Sequence, residues 1–391
     1  MSAPPAGHLD ATSAAQRLGV SLPTLYAYVS RGLIRHAGPA DDPRARWYVE
    51  SDVNAYLARK QRQRRPREAA RHVLDWGLPV LQTAITRIDQ QVLQYRNQNA
   101  ITLAGYATLE DVAALLWDGA GLDWELSLPH PRLPTGLPPL QRATVALALS
   151  PVGVPHDAPV AQQQAEGIAL MHTLCAALGG KPGLPFHRAL AQGWRREEAA
   201  DLLRRALVLC ADHELNASTF AVRVAASTGA SLAACLQAGL ATLSGPRHGG
   251  LTQLVGQILA ALLKMPDADP VATWLARGHA LPPGLFGHPL YPDGDPRAQH
   301  LLAQINSDAA FRQVIAQTQA HCGEHPSLDL ALVALVRSLR LPLDHALRLF
   351  AMGRAAGWIA HALEQRATGQ LIRPRAEFTS AIGSTGAQAP A

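Results

Sequence analysis

The sequence predicts a mainly α-helical protein in two parts, a small basic N-terminal domain and a large helical body. Three observations carry that reading. Apolar residues fill 48% of 391 positions but aromatics only 5%, and the apolar share is mostly Ala and Leu, which favour helix over the β-branched and aromatic content of sheets. Stretches with a helical apolar period run from Leu109 to Trp117, Leu140 to Leu149, Val160 to Leu178, Arg196 to Asn216, Leu251 to Leu263 and Leu328 to Leu339. Short Pro or Gly breaks separate them, with no tandem repeat and no alternating strand pattern. Charge is uneven: residues 1–67 hold eleven Arg and Lys against five Asp and Glu, a net of +6, and the remainder nets −1.

Composition excludes several classes. No stretch approaches eighteen uninterrupted apolar residues, and the start MSAPPAGHLD lacks the basic-then-apolar order of a secretory signal. A soluble cytoplasmic protein with no membrane partner is expected. The four cysteines, Cys175, Cys210, Cys235 and Cys322, are widely spaced and form no paired ligand motif, so they are expected to be buried, reduced thiols rather than a disulfide framework or zinc site. Only Lys60, Lys181 and Lys264 among the 35 basic residues are Lys. Positive charge therefore rests on Arg, whose planar fork grips carboxylates and phosphates at two points.

The run Arg59-Lys60-Gln-Arg62-Gln-Arg64-Arg65-Pro66-Arg67 ends the basic part, placing a boundary near residue 67 between an N-terminal domain, 1–67, and a body, 68–391. Within the first part, Ser13 to Tyr28 reads as two short helices around Gly19. Ala14, Ala15 and Leu18 are expected to pack on Leu25 and Val29, Gly19 to take the tight turn, and Ser21 to cap the second helix, with Pro23 tolerated in its first turn. Gly32-Leu-Ile-Arg35, a loop, Arg46-Trp-Tyr48 and a helix capped by Ser51 and running through Val53, Tyr56 and Leu57 follow. This order resembles the winged helix-turn-helix domains of MerR and excisionase type. The resemblance implies a second helix in the major groove, with Thr24, Tyr26, Tyr28 and Arg31 facing bases or phosphates and Arg44, Arg46 and Arg59 near the backbone. DNA is then a partner; the plainer reading is a domain that only aids assembly.

The chemistry-bearing segments lie late in the chain. They are Ala211-Asp-His-Glu-Leu-Asn-Ala-Ser-Thr219, Ser244-Gly-Pro-Arg-His-Gly-Gly250, Phe286-Gly-His-Pro-Leu-Tyr-Pro-Asp-Gly-Asp-Pro-Arg-Ala298, His325-Pro-Ser-Leu-Asp329 and Ile372-Arg-Pro-Arg-Ala-Glu-Phe378. Singly, each is a turn or a pocket-filling His. Together, several His, a carboxylate and two or more Arg suit the binding of a dicarboxylate and removal of a proton beside a carbonyl. Neutral imidazoles donate to developing oxyanions, Arg clamps carboxylates, and a desolvated Asp becomes a base near neutral pH. Metal ligation is the weaker use, since no i, i+4 His pair or His-Glu-x-x-His pattern occurs in these segments.

In this order the five segments, with Gly353-Arg-Ala-Ala-Gly-Trp-Ile-Ala-His361 beside them, resemble the citrate synthase family over about residues 70–378. The resemblance implies a two-lobed helical fold with a small lobe inserted at roughly 215–325, a homodimer, and condensation of an acyl-CoA, acetyl- or propionyl-CoA, with oxaloacetate or a related 2-oxo acid. The coenzyme A ester is substrate, and no cofactor or metal is implied. On matching positions, His248 would bond the thioester carbonyl while Asp329 takes a proton from the neighbouring carbon, His288 would polarise the ketone, and His213, Arg297 and Arg373 would hold the carboxylates.

Departures leave two readings open. The resemblance carries a further Arg from the partner subunit near the C-terminus, and the tail after Arg375 has no basic residue. Pro289 and Pro292 replace basic positions expected near the CoA phosphates, Arg247 precedes His248, and the early Arg-Gly-Tyr segment reads as shortened to Leu103-Ala-Gly-Tyr106. The complete trio His248, His288 and Asp329 favours a condensing enzyme; the departures and the N-terminal domain favour a metabolite-sensing DNA-binding regulator built on a degenerate body.

Overall fold

The structure is a computed structural model, and it describes Pro5 and residues 7–30, 33–38, 46–54, 56–57, 81–125, 132–150, 153–281 and 284–376. Arg31, Arg44, the basic run 59–67 with the expected boundary, and the tail from residue 377 lie outside these residues. Contacts divide the chain between Gln82 and Thr83 into two compact units.

In the first unit, β1 (His8–Leu9), α1 (Ala11–Leu18), α2 (Leu22–Ser30), β2 (His36–Ala37) and β3 (Trp47–Val49) follow one another, and the strands pair antiparallel in the order β1-β3-β2. Asp10 starts α1 by accepting the Ser13 amide at 2.8 Å. Gly19 ends the helix in the left-handed region, φ 64°, and its amide closes the last turn, which a side chain there would strain. Ala14, Ala15, Leu18, Leu25, Ile34, Tyr48 and Val53 form the core, with Val29, Tyr28 and Tyr56 packed on it. Arg17–Glu50 and the two-pronged Arg35–Asp52 pair sit at its surface, where water screens most of their worth.

The second unit opens with strands, contrary to the expectation that no strand pattern exists. β4 (Thr86–Asp89), β5 (Val92–Tyr95) and β6 (Gln98–Asn99) form an antiparallel meander, with Thr86 opposite Tyr95 and Asp89 opposite Val92. Leu93 and Tyr95 are buried while Arg87 and Asp89 are exposed, so the alternation exists but spans only four residues. The turns put Gln90, Gln91, Arg96 and Asn97 at positive φ, where Asn-Gly or Asp-Gly would normally announce a hairpin.

Helices make up the rest: α3 (Ala100–Tyr106), α4 (Leu109–Leu116), α5 (Pro139–Ala148), α6 (Val160–Ala177), α7 (Phe186–Gly193), α8 (Ala200–Cys210), α9 (Ala217–Ser227), α10 (Leu232–Leu243), α11 (Leu251–Leu262), α12 (Pro270–Ala276), α13 (Pro296–Gln304), α14 (Ala309–Cys322), α15 (Leu328–Ser338) and α16 (Asp344–Thr368). The long α16 is buried around most of its circumference from His345 to Ala362, as a helix must be when neighbours cover every face. It packs on α4, α6, α8, α9, α10 and α15. Small residues make that possible. A Cβ on Gly353 would stand 2.7 Å from the Leu207 carbonyl oxygen, and one on Gly357 would stand 2.4 Å from that of Ala211. The Gly357 amide donates to the same Ala211 oxygen at 3.0 Å, so α16 is stitched to the segment that carries His213.

Three of the four cysteines are buried, but Cys322 is exposed at the end of α14, which corrects the expectation for that residue. No helix among the described residues is long and apolar enough to cross a membrane.

The seam yields a test. Gly357→Ala forces backbone against backbone, so it should lower stability by about 1–3 kcal/mol, the usual cost of overpacking, and reduce the melting temperature measurably. An unchanged melting curve would show that α16 and the Ala211 segment are not held as described.

Candidate active site

Four of the five chemistry-bearing segments lead into a helix start, and in three of them capping chemistry explains why. Asn216 caps α9 by accepting the Thr219 amide at 3.2 Å, Asp295 caps α13 by accepting that of Arg297 at 3.0 Å, and Ser327 caps α15 by accepting that of Leu330 at 3.3 Å. His213, Arg297 and Asp329 are fixed relative to these caps, and His248 lies two residues before Gly250, the N-cap of α11. An antiparallel bridge between Phe286 and Pro326, with the Gly287 amide donating to the His325 oxygen at 2.8 Å, lays the His288 segment beside the approach to Asp329.

The groups converge. The rings of His213 and His288 meet edge to face at 5.1 Å between centroids. His213 feels the charges of Arg297 and Arg354 as well as the two other imidazoles, and Asp329 feels both guanidinium groups. Arg373 is not among them. It is exposed, and its guanidinium donates to the neighbouring Pro374 oxygen at 3.0 Å.

Arg297 is 3% exposed and bound two-pronged by Asp295, at 2.9 Å from Nε and 2.7 Å from Nη2. Its Nη1 makes no bond among the described residues. Arg354, 1% exposed, donates from Nε to the Cys210 oxygen at 2.8 Å and lies 5.0 Å over the Phe350 ring. No carboxylate among the described residues stands within ion-pairing distance of it, and its Nη atoms make no hydrogen bond there. The charge of the buried Asp212 acts on it without direct contact, and a buried guanidinium without a hydrogen-bonded carboxylate is costly. Sequence reasoning quoted the segment around Arg354 without giving the residue a role, because an Arg within an apolar helix pattern reads as a face exposed to water.

Burial and these cations set the ionisation of the other groups. Desolvation first, then neighbouring positive charge, pushes His213 well below the ordinary imidazole value and brings His248 and His288 down to about 4. All three are neutral at pH 7. The His288 Nδ1 accepts the Leu290 amide at 3.2 Å, so the proton sits on Nε2. The His248 Nε2 lies 2.8 Å from the Ser218 hydroxyl, which also accepts from the Trp358 indole and lies 2.8 Å from Asn216 Oδ1. Asp329 moves the other way, up to about 7, chiefly because burial disfavours its charge, against the pull of Arg297 and Arg354. Its place in the first turn of α15 favours the anion, yet desolvation wins. Its Oδ1 is shut away from solvent with no hydrogen-bond partner among the described residues.

Tyr291 also belongs to the site, although the sequence reading quoted it within residues 286–298 without giving it a role. It is buried, its hydroxyl lies 2.9 Å from His213 Nε2, and its ring lies beneath the Arg297 guanidinium. Among the described residues no group of His, Cys, Asp or Glu is arranged to hold a metal ion.

In the N-terminal unit, Tyr26 and Arg46 are exposed, and Thr24 Oγ1 lies 2.9 Å from Ser21 Oγ. Tyr28 stacks on Tyr56 at 4.7 Å between centroids and packs on the core, so its ring serves packing.

Residues 132–375 match the family model for the citrate synthase C-terminal domain. The chain is 33% identical to citrate synthase 2 of Bacillus subtilis over 189 residues, covering 46% of this chain and 50% of that protein. It is 36% identical to citrate synthase of Haloferax volcanii over 196 residues, covering 47% and 51%. With 2-methylcitrate synthase 1 of Corynebacterium glutamicum it shares 30% over 186 residues, covering 44% and 48%. These matches span about half the length of the curated relatives. In fold, it resembles the citrate synthase of Thermotoga maritima, with a TM-score of 0.66 at 24% identity over 78% of this chain and 95% of that one. It also resembles the Thermoplasma acidophilum enzyme solved with carboxymethyl coenzyme A and oxaloacetate, with a TM-score of 0.64 at 22% identity over 78% and 94%. The convergent imidazoles, arginines and carboxyl group thus stand on a known scaffold, and the chain belongs to the citrate synthase family.

Proposed function

We propose that this protein condenses an acyl-CoA with oxaloacetate or a related 2-oxo dicarboxylate and releases CoA. The observation that carries this reading is the pair of buried arginines, Arg297 and Arg354, the second with no carboxylate in direct ion-pair contact among the described residues, beside three neutral imidazoles and a carboxyl group shifted to about 7. A dicarboxylate supplies negative charge that both guanidinium groups can grip. The ternary complex of the Thermoplasma acidophilum relative with a CoA analogue and oxaloacetate supports the same substrate class.

In this mechanism Asp329, ionised in part near neutral pH, takes a proton from the carbon beside the thioester carbonyl. His248 stabilises the enol as a neutral hydrogen-bond donor. His288 Nε2–H polarises the ketone, the enol carbon attacks it, and hydrolysis of the resulting thioester frees CoA. Arg297, Arg354 and His213 hold the carboxylates. Arg354 thus supplies a second clamp. In a homodimer, Arg373, exposed on its own subunit, is the residue we assign to the partner's site.

Purified protein given oxaloacetate and a panel of acyl-CoA esters should release free thiol, with acetyl- or propionyl-CoA preferred, and no release with any ester would overturn the enzyme reading. Arg354→Ala should raise the oxo-acid KM at least tenfold, since a charge-assisted bond contributes about 1.5–3 kcal/mol; an unchanged KM would remove Arg354 from the clamp.

Asp329→Asn should lower turnover by a factor on the order of 10² or more, as loss of a placed base does. It should also stabilise the fold. The folded pKa of about 7 lies above the ordinary aspartate value of 3.8, so between those values the unfolded chain releases a proton that the folded protein keeps, and stability falls as pH rises through this window. The variant escapes that loss. Its melting temperature should exceed the wild type's at pH 8 and match it below about pH 4; equal curves at pH 8 would contradict the buried carboxyl.

For the N-terminal unit we propose DNA contact, on the +6 charge of residues 1–67 and the exposed Tyr26 and Arg46. A dimer presents two such units, so the site should be a near-palindrome with half-sites about 10–10.5 base pairs apart or a multiple of that. Affinity should fall steeply with salt as counterions are released. A ligand that changes DNA affinity must itself be bound differently on DNA, by the same factor. Absence of salt-sensitive binding to genomic fragments, by folded protein in anisotropy titrations, would reduce the unit to an assembly domain.

A further inference from the structure

We propose that Tyr291 is a positioning residue that locks His213 in the tautomer protonated on Nδ1, so that this imidazole meets the bound oxo acid as a hydrogen-bond donor. The inference rests on the substrate class proposed above for the meaning of that donor, and on geometry alone for the tautomer.

The Tyr291 side chain is 1% exposed, and its hydroxyl lies 2.9 Å from His213 Nε2. No second partner of that hydroxyl occurs among the described residues. A buried hydroxyl hydrogen needs an acceptor, and Nε2 is the one within reach. Were the proton on Nε2 instead, the imidazole would donate to the phenol oxygen and leave the phenol hydrogen stranded. The phenol must therefore donate, Nε2 accepts, and the imidazole proton goes to Nδ1.

The charges around the pair exclude ionised alternatives. Arg297, His288, Arg354 and His248 face His213, and burial together with their charge drives it well below its ordinary value. Arg297, Asp295, Glu214 and Arg354 face Tyr291, and burial raises its hydroxyl to about 12. Both groups are neutral near pH 7, so the exchangeable hydrogens are one on the phenol and one on the imidazole.

The same ring touches the other binding groups. Its centroid lies 5.6 Å from that of His213 and 5.1 Å from that of His288, and the Arg297 Cζ lies 5.3 Å from it. The Tyr291 amide donates to the His288 oxygen at 2.8 Å, and the Gly294 amide donates to the Tyr291 oxygen at 3.0 Å. Pro289 and Pro292 flank this turn. Proline fixes its own φ and restricts the residue before it, so Pro292 limits the backbone freedom of Tyr291. The two prolines, which remove basic side chains expected for CoA phosphates, thereby acquire a function in holding this ring.

Nitrogen-15 histidine spectra of the full-length protein, with His213 assigned through His213→Gln, read the tautomer directly. The wild type should show a protonated Nδ1 and an unprotonated Nε2. Tyr291→Phe keeps the ring and removes the donor, so His213 should shift toward the Nε2–H form and its titration midpoint should rise by about one pH unit, because protonation no longer breaks a bond at Nε2. Calorimetric oxaloacetate affinity should weaken about five- to tenfold in that variant, the value of one ordinary hydrogen bond, with the loss appearing in KM more than in kcat. Wild-type His213 protonated on Nε2, or a Tyr291→Phe spectrum and midpoint identical to the wild type, would overturn the proposal. Failure of the wild type to bind oxaloacetate would defeat the substrate reading instead, and the spectra would still decide the tautomer.

Discussion

Burial, with two arginines held out of water, sets the ionisation of the groups around them. Arg297 shares its charge with Asp295 over two hydrogen bonds, while Arg354 has a single backbone oxygen at Nε and no carboxylate within ion-pairing distance among the described residues. The charge of the buried Asp212 reaches Arg354 only through space, so its guanidinium stays open to a ligand in a desolvated space, where charge is worth far more than at a surface. The three imidazoles respond by staying neutral, since a further cation there is unfavourable and burial alone opposes one. Asp329 is drawn toward ionisation by the same arginines, but loss of water outweighs them and leaves it near 7. One environment thus prepares neutral donors and a usable base together.

In the proposed function, the oxo acid belongs to the electrostatics of the site. A dianion beside Arg297 and Arg354 would offset their charge, which raises the cost of ionising Asp329 and lowers that of protonating an imidazole. Proton removal by Asp329 would then be easiest when the negative charge it creates on the substrate is met at once by His248. On that proposal carboxylate binding and thioester activation are tied together, although different segments supply the residues.

His213, His248, His288, Arg297 and Asp329 were legible in the sequence because each sits in a short polar phrase at a helix start, where capping residues and turns interrupt the apolar period. Arg354 was not, for the opposite reason. It lies mid-helix between Gly353 and Ala355, and periodicity cannot tell a buried cation from an exposed one; only the three-dimensional packing of α16 does. Tyr291 escaped notice because its partner, His213, lies 78 residues away. The β4–β5 hairpin was missed for a local reason, since Gln-Gln and Arg-Asn occupy turn positions that Gly normally signals. The boundary Ser13 to Tyr28 was readable through Gly19, whose left-handed φ is required, but Tyr28 could be assigned to packing only once Tyr56 was found against it.

The segment from Ala211 to Glu214 shows how such a site is kept in place. Glu214 has a positive φ of 49°, a strained conformation for a residue with a side chain, and surrounding bonds hold it there. Its Oε1 accepts the Ile88 amide at 2.8 Å, bringing the hairpin to its front. Behind it, the Asp212 Oδ2 lies 3.3 Å from His361 Nε2, the His361 Nδ1 lies 3.4 Å from an Arg223 nitrogen, and Arg223 pairs with Glu364 at 2.6 Å. The Tyr95 hydroxyl donates to the Val208 oxygen at 3.0 Å, and Gly357 presses on Ala211 from α16. Strand, helix and buried charge therefore constrain four residues from different sides. A buried ionic network is weak evidence of stability, because desolvation offsets most of its attraction. Its effect here is positional: with Asp212 held by His361 and Glu214 by the hairpin, His213 between them has no freedom to follow its own solvation, and the cost of burying a neutral imidazole against two guanidinium groups is borne by the fold.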